Sequence, residues 1–208
     1  MPLNHAYRTE EELLAGVRRR EQPAFDAFFD RYADGVYGFG LKFSGHPDQA
    51  GEILQATLVT ALQNVEEVKH AKAVPRWLLR LASSVCLKGR PESGPPGLGE
   101  IPLEELTPER KGGVAVPSHD WSLDLDNEAR RDEEKRLLKQ AVVALPPHYR
   151  LVLILREMEE MSNVDVADIL QIPISTARMR LSRARLCVRK ELTRRLLKGG
   201  GNGGVKAS

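Results

Sequence analysis

The sequence predicts an all-α protein: two small helical domains joined by a long acidic linker rich in proline and glycine. Three observations carry this. Apolar residues recur at helical spacing through most of the 208 residues, and no alternating run is long enough to read as a strand. Residues 90–127 hold six prolines and five glycines, with eight acids against three bases, which is linker composition. A loop of that length is out of place inside one compact domain, so a domain is expected on each side of it. Finally, SNVDVADILQIPISTARMRLSRAR (162–185) reads as a helix-turn-helix. The expected divisions are a domain over 1–89, a flexible linker over 90–127, a second domain over 128–198 and a flexible tail over 199–208.

Thr9-Glu10-Glu11-Glu12 is a capping box that opens a first helix, through about Arg20. Pro23 opens a second, whose Phe25, Phe28, Phe29, Tyr32, Val36, Phe39 and Phe43 form a core stripe. Pro47-Asp48 starts a third, to about Val65, with Ile53, Thr57, Leu58, Ala61 and Leu62 inward. A loop over Glu66–Val74 leads to a fourth helix, from Pro75 to about Lys88, that buries Trp77, Leu78, Leu81 and Val85. Inside the linker, Ile101–Leu106 and Trp121–Leu125 are short apolar patches suited to docking on a partner. A fifth helix covers about Glu128 to Leu145, and Pro146-Pro147 starts a sixth that runs through HYRLVLILREMEE.

In the helix-turn-helix, Ser162 is the expected N-cap, and Val164, Ala167, Ile169 and Leu170 the apolar stripe of its first helix. Gln171-Ile172-Pro173 breaks the pattern. Ser175 or Thr176 then caps a second helix that runs to about Leu197. Its Ala177, Leu181, Ala184 and Val188 share one face, and Ser175, Arg178, Met179 and Ser182 the opposite one, flanked by Thr176 and Arg183. A recognition helix needs this division, with one face docked on its own domain and one free to enter the major groove. From Gln171 onward ten Lys/Arg face a single acid, Glu191, in a chain whose net charge is only +2, so the basic charge is concentrated on this element.

Other classes are excluded by what the sequence lacks. There is no P-loop, dinucleotide fingerprint or nucleophile motif, so no enzyme and no cofactor is expected. The five histidines show no metal-ligand spacing, and Cys86 and Cys187 read as separate thiols. No 18-residue apolar run or apolar signal core is present, so the protein is expected in the cytoplasm, without membrane insertion.

These residues resemble the extracytoplasmic-function sigma factors, the compact class of the sigma-70 family, which have two helical domains and a linker and direct bacterial RNA polymerase to promoters. The likeness is strongest over ALPPHYRLVLILREMEEMSNVDVADILQIPISTARMRLSRAR (144–185), which follows the family's region four almost throughout. In the first domain, AFDAFFDRYADGVYGFGLKF matches the start of region two. PDQAGEILQATLVTAL resembles the helix that binds the polymerase clamp, and PRWLLRLASS the promoter-contacting helix after it.

The resemblance implies roles at the matching positions. Asp48, Glu52 and Gln55 would face the clamp of core RNA polymerase. Asn64, Lys69, His70 and Lys72 would surround a flipped base of the −10 element, and Arg76 and Arg80 would contact backbone beside it. Trp77 reads as core rather than as a stacking platform. Ser175, Thr176, Arg178 and Ser182 would approach −35 base edges, with Arg180, Arg183 and Arg185 nearer phosphates. The acidic linker would thread the polymerase's RNA path, and an anti-sigma factor holds many members of the class.

The chain departs from the family pattern at Gly51 and Ala56, where acids are common, at Val74, where an aromatic is frequent, and at Ser84 and Lys88-Gly89-Arg90. Gln171 stands where the turn often has glycine. The −35 half is therefore close to pattern and the polymerase-binding half diverged. Two other readings stay open on the sequence. One is a stand-alone helix-turn-helix regulator; the other is a sigma-like interaction protein that no longer opens promoters.

Overall fold

The computed structural model describes Tyr7, residues 9–88 and residues 128–199; the expected linker with its two apolar patches, and the tail beyond residue 199, lie outside the described residues. Every regular element among the described residues is helical.

Helix α1 (Glu10–Arg18) opens on the predicted capping box, with Thr9 Oγ1 accepting from the Glu12 amide at 3.1 Å and Glu12 Oε2 accepting from the Thr9 amide at 3.2 Å. It stops short of Arg20, which is left-handed at φ 59° and turns the chain. Helix α2 (Gln22–Ser44) buries Phe28, Val36, Phe39 and Phe43, with Phe25 and Tyr32 packed at their side. Phe29 corrects the expected stripe: it is 51% exposed, because one residue past Phe28 it is rotated about 100° off the buried line. Gly45 ends α2 at φ 77°, and a Cβ there would meet Val143 of the C-terminal half at 2.9 Å, so glycine serves both the left-handed turn and the close approach.

Helix α3 (Pro47–Gln63) packs back along α2, with Ile53, Thr57, Leu58 and Ala61 inward. Leu62, expected inward, is 39% exposed. Two short 3₁₀ turns, Val65–Glu67 and Ala71–Ala73, occupy the stretch read as loop. Helix α1 holds them: Glu11 Oε1 accepts from the Ala71 amide at 3.0 Å, and the Arg18 guanidinium donates to the Val68 carbonyl. Helix α4 (Val74–Leu87) buries Trp77, Leu78, Ala82 and Cys86, while Leu81 and Val85 are only half-buried.

The C-terminal half holds α5 (Glu128–Val143), α6 (Pro147–Leu153), α7 (Asn163–Leu170) and α8 (Ile174–Gly199). The sixth helix does not continue as α-helix through Glu160. After Leu153 it widens into a π turn over Ile154–Met158, with the Glu159 amide donating to the Ile154 carbonyl at 3.0 Å, and Glu160 at φ 54° ends it. Helix α8 packs across α5, α6 and α7. Near its C-terminal end Glu191 accepts from both Arg194 and Arg195, and these partners, Arg194 first, pull its carboxyl down to about 2.

The two halves share one buried cluster that runs from Leu13 to Ala184. Arg150 on α6 is the main polar fastener: it donates to the Phe43 carbonyl of α2 at 2.7 Å, to the Leu145 carbonyl at 2.7 Å and to the Val143 carbonyl, and its guanidinium lies 4.8 Å over the Phe43 ring. Lys42 of α2 pairs with Glu159 at 2.7 Å. Cys86 and Cys187 are not joined in a disulfide, as expected, and burial pushes the Cys187 thiol up.

Candidate nucleic-acid interface

Helices α7 and α8 form the helix-turn-helix. Ser162 caps α7 as predicted, with its Oγ accepting from the Asp165 amide at 3.1 Å and Asp165 Oδ2 accepting from the Ser162 amide at 3.2 Å. The Ser162 hydroxyl first, and then the Arg76 guanidinium, hold the Asp165 carboxyl below its ordinary value. Val166, Ala167 and Ile169 are buried, whereas Val164, read as part of the apolar stripe, is 58% exposed. Gln171 takes the left-handed conformation at φ 53°, ψ 46°, where glycine is usual, and the Ile172 amide returns to the Ala167 carbonyl at 3.0 Å. A non-glycine residue costs on the order of 1–2 kcal/mol there. The tight turn persists because the helices on either side of it are anchored in the core.

Helix α8 begins at Ile174, ahead of the expected Ser175 or Thr176 cap, since Pro173 leads directly into the helix and its carbonyl accepts from the Ala177 amide at 3.0 Å. Ala177, Leu181 and Ala184 are buried, and Val188 packs against the same core. Ser175, Arg178, Met179 and Ser182 point outward together, so the predicted split of faces holds. Thr176 and Arg183 are half-buried on the flank. Arg185 is exposed and pairs with Glu157 of the π turn. Arg180 sits apart from the other arginines: it lines a cavity of about 150 Å³ with Leu87, His148, Leu151, Leu170 and Ile172, against the end of α4.

In the N-terminal half, Lys69, His70 and Lys72 stand exposed on the segment held by α1. Asn64 is committed to the end of α3, its Nδ2 donating to the Thr60 carbonyl at 2.8 Å. Trp77 is 6% exposed and donates from Nε1 to Glu67 at 3.3 Å, which places it in the core, as expected. Both α4 arginines carry carboxylates: Arg80 pairs with Glu67 at 3.3 Å, and Arg76 with Asp165 at 2.6 Å and Asp168 at 3.3 Å.

Asp48, Glu52 and Gln55 are exposed along α3. The same stripe continues through Ala56 to Val59, 49% exposed, and Leu62, 39% exposed. Sequence reasoning missed this apolar extension because apolar residues at helical spacing were assigned to the core. The signal was present in the phase, since Val59 follows Asp48 by three full turns.

Residues 135–188 match the family model "Sigma-70, region 4". The chain is also 27% identical over 190 residues to the ECF RNA polymerase sigma factor SigW of Bacillus subtilis, a match that covers 85% of this chain and 92% of that protein. The chain is similar to ECF sigma factors over most of its length. An ECF RNA polymerase sigma-E factor of Haemophilus influenzae is 25% identical over 185 residues, covering 88% and 95% of the two chains. The same fold recurs in CnrH, solved with the cytosolic domain of CnrY (TM-score 0.55, 17% identity, 88% and 97% covered). It recurs as well in RpoE of Bartonella quintana, solved with the anti-sigma factor NepR (TM-score 0.53, 21% identity, 81% and 96% covered). The matched region-four segment takes in most of α5, all of α6 and α7, and the part of α8 that carries the outward arginines.

Proposed function

We propose that this protein is a sigma factor of the extracytoplasmic-function class, which binds bacterial core RNA polymerase in the cytoplasm and directs it to specific promoters. The observation that carries the reading is α8. Ser175, Arg178, Met179 and Ser182 stand clear of the protein on one face of a helix whose other face is buried, inside the segment that matches region four. The residues up to 89 dock on the polymerase and capture unpaired −10 bases; residues 128–198 read the −35 element. The protein does no bond chemistry. Strand opening is offset by binding, and the tether between the halves raises the effective concentration of each for its own element. Its regulator is expected to be an anti-sigma factor, the kind of partner with which RpoE was solved.

In vitro transcription tests this. Core polymerase with this protein should initiate from a genomic fragment pool at sites that share two elements, and core polymerase alone should not. No new initiation, from core polymerase shown active with another sigma factor, overturns the reading.

On the polymerase side, the acids of α3 supply charge and Val59 and Leu62 supply apolar contact. Val59→Glu or Leu62→Glu should weaken core-polymerase binding tenfold or more, about 1.4 kcal/mol. Because both side chains are exposed, thermal stability should barely change. Titration of labelled protein with core polymerase checks it, and unchanged affinity in both variants would remove the outer face of α3 from the interface.

A further inference from the structure

Lys69 and His70 belong to neither 3₁₀ turn, so no repeating helical bonds fix their backbone. Helix α1 fixes it from both ends. Arg18 Nη2 donates to the Val68 carbonyl, and Glu11 Oε1 accepts from the Ala71 amide at 3.0 Å. A longer ion pair, Arg18 Nε to Glu66 at 3.8 Å, adds to the first grip. Val68 and Ala71 are 3% and 1% exposed, while Lys69 and His70 between them face solvent.

The two grips match the segment in length. Glu11 and Arg18 lie two helical turns apart on one face of α1, ~10 Å along its axis. Extended chain from Val68 to Ala71 covers ~10 Å as well, and both Val68 (φ −85°, ψ 111°) and His70 (φ −131°, ψ 138°) are extended. The segment runs antiparallel to α1, with Val68 at the Arg18 end and Ala71 at the Glu11 end. Both grips are on backbone groups, so the side chains of Lys69 and His70 stay clear. A loop left free must give up its backbone freedom when a base binds; a loop already held does not.

We propose that Glu11 and Arg18 are positioning residues for −10 recognition. They hold the backbone from Val68 to Ala71 in the form that presents Lys69 and His70 to the unpaired base, so a helix that need not touch DNA sets −10 selectivity. This rests on the reading of Lys69, His70 and Lys72 as the surround of that base.

The test is transcription by core polymerase with the full chain, from a template library whose −10 element is randomised and whose −35 element is the one recovered with the unaltered protein. Glu11→Ala should lower the ratio of preferred to other bases at the captured position roughly fivefold, the factor equal to about 1 kcal/mol. Arg18→Ala should do the same, and −35 preference should hold in both. Glu11→Gln keeps an acceptor oxygen and should restore most of the selectivity. Glu12→Ala removes the acid of the capping box and neither grip, so it should lower thermal stability and leave −10 selectivity in place. An equal loss of selectivity in Glu12→Ala would mean that α1 acts only through its own stability, and the proposal falls. Hydrogen exchange at the amides of Lys69, His70 and Ala71 in the full chain gives the second readout, and both alanine variants should speed it roughly tenfold. Unchanged exchange would show that α1 does not hold the loop, and overturns the proposal. Faster exchange with −10 selectivity intact overturns it too, and Lys69→Ala combined with His70→Ala then locates the fault. If selectivity survives that change, the loop is not the −10 surround; if selectivity is lost, the surround works without the grips.

Discussion

Arg150→Ala is expected to lower the thermal midpoint by roughly 6–12 °C, the shift that corresponds to about 3 kcal/mol in a chain of this size. Arg150 satisfies carbonyls at three places, Phe43 in α2 and Val143 and Leu145 at the end of α5, while its guanidinium lies over the Phe43 ring. A hydrogen bond to a charged group contributes about 1.5–3 kcal/mol, and bonds that share one donor group add less than their sum. Alanine would remove the donors and leave the carbonyls at a half-buried seam. Lysine keeps the charge but cannot reproduce the planar fork, so Arg150→Lys should recover less than half of the loss. Calorimetry on the purified variants decides the point; a drop under about 2 °C for Arg150→Ala would show that the carbonyls find other partners and that apolar burial alone holds the halves together.

Replacing Arg178 with alanine should relax −35 sequence preference by about 1–3 kcal/mol, roughly 5–150-fold in the ratio of preferred to altered site. Arg178 is exposed on the outward face of α8, beside Ser175 and Ser182, where base edges would lie. Arg183, half-buried on the flank, should behave differently. Its loss should weaken binding about equally across sequences and reduce the salt dependence by about one phosphate contact. Competition between promoter fragments with single −35 changes, measured with the polymerase complex at two salt concentrations, separates the two. If Arg178→Ala and Arg183→Ala gave the same profile, the face of α8 that meets DNA would have to be reassigned.

The helices were legible because their signals are local. The Thr9–Glu12 and Ser162–Asp165 boxes, the prolines at the starts of α2, α3 and α6, and the period of buried residues in α8 each lie within one or two turns of sequence. The left-handed Gln171 could likewise be read from its place between two helical stripes. Individual faces were less legible. Phe29, Leu62 and Val164 are apolar but exposed, because hydrophobicity alone does not distinguish a core position from a surface kept for a partner. The seam was not legible at all. Nothing near Arg150 in the sequence points to Phe43, 107 residues away, and nothing near Arg76 points to Asp165 or Asp168. Polar contacts between distant segments leave no periodic trace, so the arginines assigned to DNA gave no sign that one of them already had a partner.

The π turn over Ile154–Met158 acts as a change of phase. One extra residue in a helical turn rotates everything after it by about 100° without lengthening the rod appreciably. Leu151 and Val152 before the turn and Ile154 and Leu155 at its start face the core; Glu157 within it reaches Arg185 of α8, and Glu159 just after it reaches Lys42 of α2. A regular helix would turn those two acids to other compass points and could not serve both neighbours from the same stretch. The chain thus has a joint whose setting is counted in residues. Deleting one residue there would leave each helix intact and misalign the two halves of the molecule, a fault of timing along the chain rather than of material.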